Sequence, residues 1–193
     1  MTLQLVIPDK KYLPSVREAV AEYESAPSKF EILAVSNMIA ATKKDFAEYF
    51  DALSNASQGI NLKPGYVPNT VYWLIEDDQY IGSFDLRHSL TSALTEIGGH
   101  IAYQIRPSAQ RKGYARKGLE LCLEKAWGRN IEQALITCDE ENIGSYAVMC
   151  KVMSENGGYE MPPLIKDGIT EKRVWINTRK TNKRPDILQR KTA

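Results

Sequence analysis

Five basic side chains, Arg106, Arg111, Lys112, Arg116 and Lys117, crowd one short stretch of the sequence with no acid among them. They surround Gly113 and lead into a run where Ala115, Leu119, Cys122, Leu123 and Ala126 recur at helical spacing. A helix start carries partial positive charge and favours Asp or Glu, so an all-basic first turn points to an anion supplied from outside. Gly113, without a Cβ, lets an oxyanion approach the backbone N–H groups closely. The chemistry expected of the stretch is phosphate binding. It matches neither the GxxxxGK[ST] loop of nucleoside triphosphate sites nor the GxGxxG of dinucleotide sites.

Other residues suit proton transfer or recognition. His100 has a side chain of near-neutral pKa, and Glu96 stands just before it at the entry to the same apolar segment. His100 points to the sheet face opposite position 99 unless a bulge turns it. Arg87 and His88 follow an apolar strand pattern, where the arginine fork suits a carboxylate or phosphate. The competing reading makes them solvated loop residues. Cys122, Cys138 and Cys150 fall on apolar positions and read as buried small hydrophobes, not nucleophiles.

The loop itself, Gln110-Arg111-Lys112-Gly113-Tyr114-Ala115, resembles the [Q/R]-x-x-G-x-[G/A] signature of the GNAT superfamily of acyl-CoA N-acyltransferases. The surroundings agree with that resemblance: an apolar strand 101–105 before the loop, a helix after it, and the strand 134–138 beyond. Asn142-Ile143-Gly144-Ser145 is similar to the N-x-x-[A/S] of the family, and Asn156-Gly157-Gly158-Tyr159 to its entry into a late strand. The match covers about residues 98 to 160.

The resemblance implies a fold, a co-substrate and a reaction. The fold class is α/β, a central mixed sheet with helices on both faces and splayed central strands. Acetyl-CoA would lie where the parallel strands 98–105 and 134–138 part. Its pyrophosphate would sit on Gln110 to Ala115, its arm on the backbone near Tyr103 and Ile105, with Asn142 and Ser145 also touching the cofactor. Asn142 reads equally as a helix N-cap. Transfer would be direct, to the primary amine of a small molecule, and without a metal. Two departures matter. The usual acid, a tyrosine seven residues after the asparagine, is Met149 here, and a glutamate base found in some members aligns with Gly99. Tyr146 is the substitute acid on offer, against a reading in which Tyr146, Met149, Cys150 and Met153 are a core stripe. His100 and Glu96 are the candidate bases. The alternative function is a non-catalytic acyl-CoA-binding regulatory module.

The elements that must position these residues follow from periodicity. Leu3 to Ile7 reads as a strand, Val16, Ala19, Val20 and Tyr23 as a helix stripe, and Thr42 with Asp45 as the start of a helix through Leu53. Residues 59 to 70 form a loop, Val71–Ile75 and Tyr80–Phe84 a hairpin about Asp77-Asp78, and Gly98–Ile105 a strand. A helix over 143–155 and a closing hairpin around Asp167-Gly168 complete an order β-α-α-β-β-β-α-β-α-β-β. Residues 1–178 would form one domain and 179–193 a basic tail.

Composition limits the partners. The chain has 193 residues, 43% hydrophobic, with a net charge of +1. That argues against dedicated binding to nucleic acid or membranes, although the basic tail keeps a docking role on RNA in view. No apolar run approaches the roughly 18 residues needed to span a bilayer. Three cysteines without CxxC spacing support neither disulfides nor a zinc site, so a cytoplasmic location is expected. A homodimer is the assembly left open.

Overall fold

The computed structural model describes residues 2–179. The chain opens with β1 (Leu3–Val6) and three helices, α1 (Leu13–Ser25), α2 (Leu33–Thr42) and α3 (Phe46–Gln58). The hairpin β2 (Asn69–Glu76) and β3 (Gln79–Arg87) follows, then a short α4 (Ser92–Glu96) and β4 (Ile101–Ile105). The second half runs α5 (Tyr114–Trp127), β5 (Gln133–Asp139), α6 (Ile143–Asn156), β6 (Gly158–Lys166) and β7 (Ile169–Asn177).

Local chemistry explains the turns. Asp77 and Asp78 both take positive φ, 47° and 63°, as a two-residue hairpin turn of right-handed twist demands. Asp45 caps α3 by accepting from the Ala47 N–H at 2.9 Å. Thr42, expected to open that helix, instead closes α2. Its hydroxyl is turned back to donate to the Ile39 carbonyl at 2.6 Å. The whole of α2 is therefore an addition to the expected order, as is α4. Glu96 ends α4 and is not a strand-entry residue. β4 begins at Ile101, later than expected, because Gly98 and Gly99 take φ of 106° and 58° and turn the chain.

The sheet is split. β1-β2-β3-β4 form one antiparallel unit and β5-β7-β6 another. Among the described residues no parallel ladder joins β4 to β5. The link centres on His100, whose N–H donates to the Leu135 carbonyl at 2.6 Å while its Nδ1 accepts the Leu135 N–H at 3.0 Å. Gly98 adds one bond, from its N–H to Thr137 Oγ1 at 2.9 Å. A kinked strand start cannot present the regular sequence of donors that a parallel ladder needs.

Side chains alternate across the first sheet as strand geometry requires. Val71, Trp73 and Ile75 join a core with α1, α2 and α3, whereas Tyr72 and Leu74 join the core under α5 and α6. Helix α5 sits close to the sheet at Gly118. A Cβ there would lie 2.2 Å from the Phe84 ring, so only glycine allows this approach. Phe84 in turn stacks on Tyr103, centroids 5.4 Å apart and planes 18° from parallel. Trp127, at the end of α5, carries the Arg179 guanidinium over its ring at 5.5 Å. The rest of the expected basic tail lies outside the described residues.

Candidate active site

The free edge of β4 is the first ingredient. The His100 carbonyl accepts from the Arg87 N–H at 2.8 Å, and the Arg106 N–H donates to the Ile81 carbonyl at 2.9 Å. Even positions therefore face β3, and the odd positions Tyr103 and Ile105 turn their backbone groups to the open side. That side is a cleft of about 630 Å³, walled by residues 103–105, the loop 109–116 and the start of α6 at 142–148. The C-terminal ends of β4 and β5 thus deliver residues to one cavity. Ser28 and Phe30, from the α1–α2 connection, cover it. Ile32 N–H ties that connection to β4 by donating to Gln104 Oε1 at 2.9 Å.

The loop before α5 is the second ingredient. Arg111 and Gly113 take φ of 63° and 84°, with Lys112 of ordinary φ between them. Alternation of this kind turns successive N–H groups to one side and makes an anion-binding concavity. The first turn of α5 contains no acid, and no side chain caps it. Gln110 closes the loop on itself, Nε2 donating to the Ile105 carbonyl at 3.2 Å. Tyr114, on the cleft wall, directs its hydroxyl away to Glu76.

Two of the five basic residues prove to be compensated by groups remote in sequence. Arg106 is buried, its Nε 3.1 Å from Glu22 Oε1, and Ser108 donates to the same carboxylate from N–H and Oγ, each at 2.9 Å. Burial opposes ionisation of Glu22, but the bonds from Arg106 and Ser108 outweigh it and hold the carboxyl below its ordinary value. Arg116 lies 2.8 Å from Glu155 and 3.3 Å from Glu120. Arg111, Lys112 and Lys117 form no ion pair among the described residues. The charge left for a ligand is smaller than the sequence suggests and sits at the loop tip.

The start of α6 is the third ingredient. Asn142 caps the helix, its Oδ1 accepting the Ser145 N–H at 3.1 Å, which leaves the amide Nδ2 as a donor. Ser145 Oγ lies 3.0 Å from the Tyr103 hydroxyl and 3.8 Å from Met149 Sδ. Met149 is fully buried.

The remaining candidates do not line the cleft. His100 is buried, edge-on to Trp175 at 5.9 Å, and its Nδ1 is taken by Leu135. Burial, with Arg87 adding to it, lowers its pKa to about 4. Glu96 is half exposed and paired with Lys166 at 2.8 Å. Tyr146 donates to both oxygens of Glu160, at 2.9 and 3.0 Å. Arg87 holds the kink, its Nη1 donating to the Gly98 and Gly99 carbonyls at 2.9 and 3.1 Å, with Asp85 3.9 Å away. His88 Nε2 bonds Thr70 Oγ1 at 2.9 Å, and Arg129 donates to the same hydroxyl at 3.0 Å. Ser28, Phe30 and the Phe84–Tyr103 stack carry no sequence signal. They come together only when the α1–α2 connection and α5 are packed on the sheet.

Residues 17–152 match the model of an acetyltransferase (GNAT) domain. No curated protein matches the chain in sequence. Among solved structures, an acetyltransferase of the GNAT family from Bacillus anthracis aligns with a TM-score of 0.58 and 20% identity, over 91% of this chain and 93% of that one. The microcin C7 self-immunity acetyltransferase MccE, in complex with acetyl-CoA and AMP, aligns with a TM-score of 0.60 and 12% identity over 90% of each chain. A spermidine N-acetyltransferase chimera from Vibrio cholerae and hSSAT gives 0.52 and 16%, over 92% and 97%. At these identities the likeness is one of fold.

Proposed function

Because the chain belongs to the GNAT acetyltransferase family, we propose that it transfers the acetyl group of acetyl-CoA directly to the primary amine of a small molecule. One observation carries this reading: a single cleft joins an uncapped, acid-free helix start to the free edge of a strand. The first suits a pyrophosphate and the second an amide-bearing arm, and coenzyme A has both in series. When bound, acetyl-CoA supplies an activated thioester.

The residues of the chain do the rest. Backbone N–H groups of the loop 110–115, with the unpaired charges of Arg111 and Lys112, hold the phosphates. The backbone groups of Tyr103 and the N–H of Ile105 pair with the arm, and Asn142 and Ser145 meet it from α6. A free N–H on the β4 edge polarises the thioester carbonyl. Orientation of the amine against that carbonyl accounts for several kcal/mol of the barrier, on the order of 7 or more for well-aligned reactants. None of this requires a protein nucleophile.

The test is thiol release from acetyl-CoA with a panel of amines that includes amino acids, aminated sugars and spermidine, the last named for one structural neighbour. Release with at least one small amine is the expected result. Tight coenzyme A binding with release by none of them would indicate a non-catalytic acyl-CoA-binding module instead.

A further inference from the structure

We propose that Asp139 and Glu171, opposite one another on β5 and β7, hold a second ammonium group of the acceptor, so that the amine acetylated is one end of a diamine. The inference rests on the acetyl-transfer reading above and names the substrate class of that site. Ala134, Ile136 and Cys138 of β5, with Val174 and Ile176 of β7, join the core under α5 and α6. Thr137, Asp139, Glu171 and Arg173 therefore share the other face, the side on which α1, α2 and α3 cover the first sheet.

Asp139 and Glu171 are register partners, which sets their Cβ atoms about 5 Å apart. Like charges directly opposite destabilise a ladder, and an ammonium group between them reverses the sign. Glu171 is 8% exposed, and its Oε2 has no hydrogen-bond partner. Asp139 accepts the Glu141 N–H at Oδ1, at 2.8 Å, which leaves Oδ2 open. Burial raises the Glu171 carboxyl above its ordinary value against the support of the Thr137 hydroxyl, and the Asp139 charge adds to the rise. A cation beside the pair opposes both effects. Among the described residues neither carboxylate has an ion pair. The neighbouring cations are turned elsewhere: Lys29 to Glu141, Lys166 to Glu96, and Lys172 to Glu140 and the Tyr146 ring. Arg173 shares the face but gives Nη2 to the Pro162 carbonyl, at 2.9 Å, on the β6 side.

Position ties the pair to the transfer. β4 and β5 are joined at His100 and Leu135 and part beyond them, and Thr137 and Asp139 are the next positions on this face of β5. Asp139 also opens the turn into α6, its carbonyl accepting the Asn142 N–H at 2.9 Å. Asn142 lies on the cleft wall, and Lys29, bonded to Glu141, stands between the covering residues Ser28 and Phe30. The starts of α5 and α6 wall the cleft on their own side, so the amine meets the thioester from the side of Asp139. The held end keeps its proton. At the other end the neutral nitrogen bonds to the acetyl carbon, the C–S electron pair leaves with sulfur, and the extra proton on nitrogen passes through water to the thiolate. The sum is amine plus thioester giving amide plus thiol.

The experiment offers putrescine and cadaverine, each beside the monoamine and the amino acid of the same carbon count, to the full chain and to Glu171→Gln and Asp139→Asn. In the unsubstituted protein at least one diamine should exceed its monoamine in kcat/KM by about tenfold or more, with the amino acid the poorest of its set. Each substitution should lower that diamine-to-monoamine ratio by about tenfold, with coenzyme A affinity by calorimetry within about twofold. The ratio is taken within one preparation, so a partly unfolded variant does not distort it. A ratio that survives both substitutions would overturn the proposal. So would the absence of any diamine preference in an unsubstituted protein that releases thiol with another amine, a result that needs no variant to fold. Failure of the unsubstituted protein to bind coenzyme A, or to release thiol with any amine, would instead remove the acetyl-transfer reading itself.

Discussion

His100 and Leu135 exchange two hydrogen bonds, one from each backbone N–H, and one of them ends on the imidazole and not on a carbonyl. The ring substitutes for the peptide group that a regular strand would have placed there. Nδ1 must be unprotonated to accept, and burial keeps it so, with a pKa lowered to about 4. The unfolded chain binds a proton near pH 6.5 and the folded one does not. Stability from this site is therefore complete above about pH 6.5 and is lost as pH falls toward 4, by about 3 kcal/mol. Denaturation of the protein and of His100→Gln across pH 4 to 7 checks this, and the variant should lose most of the acid-limb slope.

Gly113→Asp should abolish most coenzyme A affinity. The residue sits at φ 84°, so any side chain strains the loop, and the carboxylate opposes the bound phosphate. A weakening of at least tenfold by calorimetry is expected, while thermal stability falls by about 1 kcal/mol. Unchanged affinity would remove the loop from the cofactor site.

A variant with Cys122, Cys138 and Cys150 replaced by Ala should retain acetyl transfer. Burial raises the Cys122 thiol well above its ordinary value and pushes Cys138 up to about 12, so neither is a thiolate at neutral pH. The expected change is a loss of about 1 to 2 kcal/mol in stability. Mass spectrometry after exposure to acetyl-CoA alone should find no acetylated enzyme, and a stoichiometric acetyl-cysteine would establish a two-step route.

Arg87→Ala should act on the fold before it acts on substrate. It removes the donor that holds the Gly98 and Gly99 carbonyls and leaves the buried Asp85 without its positive neighbour. A loss of about 3 kcal/mol is expected in chemical denaturation, with acidic and neutral amines losing kcat/KM equally. A tenfold loss confined to amines bearing a carboxylate would assign Arg87 to acceptor recognition.

Which of these features could be read from the sequence depends on how local their physics is. The strands, both hairpins, α5 and α6 were legible because period, turn residues and caps are written within a few positions. The basic loop was visible for the same reason, and Gly113 with it. The compensation of Arg106 was not, since Glu22 lies 84 residues away. Nor was the helix Leu33–Thr42, because Thr42 can cap forward or bond backward and only the packed structure decides. His100 illustrates the same limit: its residue type suggested proton transfer, and the double glycine before it turned the ring into a strand clamp. The cover of the cleft at Ser28 and Phe30 depends on contacts far along the chain that leave no local pattern.

The absent side chain at position 118 fixes how deep α5 seats, the seat fixes Phe84, and Phe84 fixes the ring of Tyr103. The shape of the cleft wall is thus adjustable from behind, by a residue that lies outside it. A methyl group added there must displace Phe84 or lift the helix, and either shift reaches the cleft as a change in where the phenol stands. The packing of this core and the shape of its cleft are one variable, so a stabilising repack of α5 reshapes the cleft whether or not its designer intends it.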